Sequence, residues 1–134
     1  MNLALCLALA LIVLTAGCGQ ASAAGLTGTV QYAKSGGVAG ISEQMRIAAD
    51  GRGKILKHAF RLTATERSKL ATAVGKADLA HTKSPKGGAC CDLLYYSIRY
   101  RGHEVQWDDS SRSLPRRISD LYGMLSRLYE KYES

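Results

Sequence analysis

Apolar and polar residues alternate in several short stretches of this chain, the period expected of half-buried strands. Leu26–Ala33 places Val30 and Tyr32 on one face, and Ile41–Ala49 does the same with Met45 and Ile47. Gly53–Phe60 predicts a third strand. Leu94, Tyr96, Ile98 and Tyr100 alternate with Tyr95, Ser97, Arg99 and Arg101, and Glu104–Trp107 returns with Val105 and Trp107 on a common face. Elsewhere the period becomes helical. Thr63-Ala64-Thr65-Glu66 is a capping box that predicts a helix ending near Lys76, with Leu70, Ala71, Val74 and Ala77 on one side. Leu114, Ile118, Leu121, Leu125, Leu128 and Tyr132 form a second stripe, on a helix expected to be capped by Ser113 with Pro115 in its first turn.

The connections follow from glycine and proline. Asp50-Gly51 is a hairpin signal and Arg101-Gly102-His103 a turn, while Asp108–Arg112 is a polar turn. Lys34–Gly40, with three glycines, predicts a loop of unusual backbone angles. Asp78–Cys91 is a long connection rich in Gly, Pro and Lys, of a kind that tends to carry function. The order is β-β-β-α-β-β-α. It predicts an α+β fold: an antiparallel sheet of about four to five strands with two helices packed on one face.

Ahead of this pattern lies Leu3–Leu14, an unbroken apolar run suited to the hydrophobic part of a signal peptide and short for a membrane span. Leu14-Thr15-Ala16-Gly17-Cys18 resembles the lipobox of bacterial lipoproteins. That resemblance implies cleavage after Gly17, lipid on Cys18 and anchorage to a membrane of the cell envelope. An alternative is simple secretion after cleavage at Ala21-Ser22-Ala23. The expected organisation is a signal peptide at 1–17, a lipidated cysteine and flexible tether at 18–26, and one domain at 27–134.

The formal charge of +7 arises wholly after residue 33, and Arg52, Lys54, Lys57 and Arg61 form the densest acid-free stretch. For an exported protein, anionic lipid or an acidic protein suits such a balance better than nucleic acid. Of four cysteines, Cys90 and Cys91 remain in the domain. As neighbours in an oxidising compartment they could form a vicinal disulfide, pair between chains, or persist as thiols. There is no C-x-x-C, and His81 and His103 lack zinc-ligand spacing, so neither a metal nor another cofactor is expected. No nucleophile elbow, H-E-x-x-H, phosphate-binding glycine loop or EF-hand occurs. Asp108 and Asp109 adjoin at a strand end, where their carboxylates should diverge. The chain does not read as an enzyme.

Val30-Gln31-Tyr32-Ala33-Lys34-Ser35-Gly36-Gly37-Val38-Ala39-Gly40-Ile41 resembles the opening of the emfourin family, small bacterial proteins of the protealysin-inhibitor type. The likeness continues through the Asp50-Gly51 turn, the helix from Thr63, the Asp92…Tyr96-x-Ile98 strand, the Gly102-His103 turn and Asp108 before the Pro115 helix. It covers nearly all of 28–132. The resemblance implies inhibition of thermolysin-like zinc metallopeptidases by occupation of their active-site cleft, and Ser35, Gly36, Gly37, Val38, Ala39 and Gly40 become the candidate protein-binding loop. By chemistry alone, Asp92 or a Cys90 thiolate could approach a catalytic zinc. Two rival readings are an accessory envelope lipoprotein that holds anionic components through its basic surface, and a thiol-redox protein using Cys90 and Cys91.

Overall fold

The alternating stretches pair into one antiparallel sheet in a computed structural model that describes residues 25–88 and 92–134. Cys18, Cys90, Cys91 and the expected signal peptide lie outside the described residues. The strands are β1 (Val30–Gly36), β2 (Ile41–Ile47), β3 (Arg52–Ile55), β4 (His58–Arg61), β5 (Leu94–Tyr100) and β6 (His103–Asp108). The helices are α1 (Ala64–Ala77) and α2 (Arg116–Glu133), and a short 3-10 turn, Leu79–His81, follows α1. The sheet order is β4-β3-β2-β1-β5-β6, so the fold is α+β with six strands.

Two expectations are corrected. The stretch predicted as a third strand is a hairpin, β3 and β4, folded back at Leu56-Lys57. The N-terminus of α2 is not capped by Ser113. Pro115 precedes the helix with extended angles, and its carbonyl accepts from Ile118 and Ser119. Ser113 therefore stands too early in the chain to reach the free N–H groups of the first turn. The capping box of α1 is present as predicted. Thr63 Oγ1 accepts from the Glu66 N–H at 3.1 Å, and the Thr63 N–H donates to Glu66 Oε2 at 2.9 Å.

Both helices lie on one face of the sheet. Val30, Tyr32, Met45, Ile47, Ile55, Ile98, Val105 and Trp107 meet Leu70 and Val74 of α1 and Ile118, Leu121, Leu125, Leu128 and Tyr129 of α2 in a single core. Leu26 is buried as well, so every member of that core lies between Leu26 and Tyr129. Gly53 has a packing reason: the Phe60 ring lies over it and a Cβ there would overlap the ring. The same ring stacks on Tyr132 at 4.4 Å.

The edges are treated differently. Ser84 Oγ accepts from the Gln106 N–H at 2.9 Å and the Gly88 N–H donates to Ser110 Oγ at 2.6 Å, so the segment after the 3-10 turn shields the β6 edge. The β4 edge is short and bears His58 and Arg61, features that discourage strand addition. The second face of the sheet carries Gln31, Ala33, Ser35, Gln44, Arg46, Lys54, Arg61, Ser97, Arg99 and Gln106, and no described helix covers it.

Candidate functional site: the glycine turn and its support

The hairpin joining β1 to β2 is tighter than the expected Lys34–Gly40 loop. Ser35 is a strand residue set between Ser42 and Tyr95, and Gly36 lies between Ile41 and Leu94. Only Gly37-Val38-Ala39-Gly40 forms the turn. The physical cause is the left-handed backbone at Gly36, Gly37 and Gly40, whose φ values are 102°, 72° and 60°. These reverse the chain without a longer loop. The Gly40 N–H donates to the Gly37 carbonyl at 3.1 Å, and the Gly37 N–H donates to the Leu93 carbonyl at 3.1 Å. Val38 at the tip is 88% exposed.

That last bond brings two predicted features together. Asp92, exposed and with φ of 65°, immediately precedes Leu93, so an exposed carboxylate-bearing residue and the glycine turn lie at the same end of the sheet.

The carboxylates of Asp108 and Asp109 serve different partners, because β6 ends at Asp108 and Asp109 already stands in the following turn rather than on extended backbone. Asp108 accepts from the Ser110 hydroxyl and N–H, and the hydroxyl bond is the chief reason its carboxyl titrates below the usual range. Asp109 reaches the other way. Its Oδ1 accepts from Tyr96 Oη at 2.7 Å and its Oδ2 from the Leu94 N–H at 3.3 Å. Asp109 thereby ties the start of β5 to the turn after β6.

Under this end of the sheet sits an aromatic brace. Tyr96 stacks on Trp107 at 5.4 Å, and Tyr122 of α2 meets both edge-on at 5.3 and 5.6 Å. Tyr32 Oη donates to Glu43 Oε2 at 3.0 Å, while Lys34 Nζ holds Glu43 Oε1 at 3.1 Å. Burial, then the Glu43 carboxylate, pushes the Tyr32 hydroxyl up, and burial with the Asp109 bond does the same to Tyr96. Both hydroxyls stay protonated donors at any physiological pH. Tyr96→Phe should cost about 1 kcal/mol in a urea titration, the ordinary worth of one such bond. A shallow recess lined by Ala33, Ser35, Ser84, Pro85, Tyr95 and Gln106 continues from the turn along the uncovered face.

Periodicity missed the Tyr96–Asp109 latch and the Glu43 bridge. The available cue was a tyrosine on a buried strand face with acids at a neighbouring strand end. Among the described residues no group of three His, Cys, Asp or Glu side chains could hold a metal ion, and no helix is long and apolar enough to cross a membrane. His81 is an exposed partner of Asp78, at 2.8 Å. No protein-family model and no curated protein matches the chain.

Proposed function

We propose that this chain is an exported, lipid-anchored, non-enzymatic protein-binding domain whose partner is a thermolysin-like zinc metallopeptidase, engaged through the turn Gly37–Gly40 and the neighbouring Asp92. One observation carries the reading: the turn projects an exposed Val38 from a hairpin that is hydrogen-bonded on both flanks. A loop ordered before association loses little conformational freedom in a cleft, which favours tight binding. The lipobox-like Leu14–Cys18 supports the anchor, and the resemblance over 28–132 supports the choice of partner. Asp92 supplies an oxygen ligand able to reach a catalytic zinc at its open coordination position.

The test titrates residues 25–134 into a thermolysin-like peptidase and follows substrate cleavage, with a serine protease in parallel. Stoichiometric inhibition of the metallopeptidase alone is expected. Val38→Arg should weaken it by about tenfold or more, as truncation or clash at an interface centre does, and Asp92→Ala should weaken it further. Absence of inhibition at micromolar protein refutes the peptidase as partner. Full inhibition by both variants refutes the site.

A further inference from the structure

The half of the sheet away from Asp92 is basic in a way that costs the fold stability. Arg46 on β2 lies directly opposite Lys54 on β3, and Arg52 on β3 directly opposite Arg61 on β4. All four are exposed. Like charges placed opposite one another destabilise a strand pair. Asp50 relieves Arg52, with Nε to Oδ2 at 2.6 Å, but among the described residues Arg46, Lys54 and Arg61 have no ion pair.

The turn of the same hairpin carries two further costs. Leu56 has φ of 49°, the left-handed region where glycine or asparagine usually stands. Its side chain is also 62% exposed, beside the exposed Lys57 and His58. A solvated basic face would account for the lysines and arginines but gives no reason for a strained leucine held in water. A negatively charged bilayer surface addresses all of these at once, because it neutralises the cations and takes up the apolar tip.

We propose that the β3–β4 hairpin, together with Arg46, docks the domain onto an anionic phospholipid bilayer, with Leu56 entering the boundary between headgroups and acyl chains. This contact depends neither on the peptidase reading nor on lipid at Cys18.

Residues 25–134 hold every core residue among those described and serve as the body for the test. They should sediment with vesicles of phosphatidylcholine and phosphatidylglycerol, not with phosphatidylcholine alone, and release steeply as salt is raised. Lys54→Ser and Arg61→Ser should each weaken binding about fivefold. Leu56→Asn should weaken it about tenfold, while its melting temperature holds or rises because asparagine tolerates the left-handed backbone. In the full-length protein, Leu56→Trp fluorescence should be quenched by brominated acyl chains in anionic vesicles, Trp107 being buried and serving as the internal control. The proposal is overturned if Leu56→Asn binds vesicles like the parent, or if the introduced tryptophan escapes quenching. Equal affinity for soluble polyglutamate would overturn it too, and would assign the patch to an acidic protein instead.

Discussion

Gly36→Ala is expected to lower the melting temperature by about 10–20 °C, corresponding to about 2–4 kcal/mol in a domain of this size. Two constraints meet at this position. The backbone φ of 102° lies where residues with a side chain rarely go, and a Cβ there would stand 2.5 Å from the Leu93 carbonyl oxygen and 3.2 Å from the Tyr95 ring. The oxygen belongs to backbone already fixed by the Gly37 N–H, so it cannot withdraw without releasing β5 from the turn. Gly40 supplies the control. Its φ of 60° is also left-handed, yet among the described residues nothing beyond its chain neighbours lies within 4 Å of a Cβ built there. Gly40→Ala should therefore cost only about 1 kcal/mol, the conformational part alone. Chemical denaturation of the two variants side by side separates the terms. Equal losses would mean that the close approach of Leu93 places no demand on Gly36.

The same position shows why the candidate site was only half legible in the amino-acid sequence. Three glycines in five residues announce a chain reversal, because no other residue enters the left-handed region so readily. They do not announce that Ser35 and Gly36 are paired on both sides. The β1–β5 pairing joins residues from 58 positions apart, Gly36 with Leu94, to 70 apart, Val30 with Tyr100, and no local pattern encodes it. The aromatic brace is hidden for the same reason, since Tyr32, Tyr96 and Tyr122 come from three separate elements.

Elsewhere local chemistry was enough. The alternation of Leu94–Tyr100 and the stripe Ile118, Leu121, Leu125 and Leu128 correspond to a half-buried strand and to the buried face of α2. Tyr129 joins that face because it adjoins Leu128 and follows Leu125 by one helical turn. The β3–β4 hairpin escaped notice because Leu56-Lys57 contains none of the residues that normally mark a two-residue turn. That turn instead sets leucine at a φ of 49°, where asparagine or glycine carries less backbone cost.

Glu66 should be the carboxylate on which acid stability most depends. It holds the N-terminus of α1 by accepting from the Thr63 N–H, and it joins α1 to the last turn of α2 through Lys131 Nζ at 2.5 Å and Tyr132 Oη at 2.6 Å. Partial burial alone would raise its pKa. The bonds from Lys131, Tyr132 and Thr63 outweigh that and bring it down to about 2. An unfolded chain binds the proton more readily, so the fold favours the charged form. The resulting stability is complete above about pH 5, declines as the pH falls, and is gone below about pH 2. Glu66→Gln should therefore melt lower than the parent at neutral pH, and the gap should close steadily with acidification as the parent's own carboxylate becomes protonated. Glu66→Ala removes the cap as well as the link between the helices and should cost about 2–3 kcal/mol at pH 7. Melting curves of the parent and the glutamine variant at a series of acidic pH values decide the matter. A gap that stays constant with pH would mean that the link rests on hydrogen-bond geometry alone, and that the charge on Glu66 contributes nothing to joining the two helices.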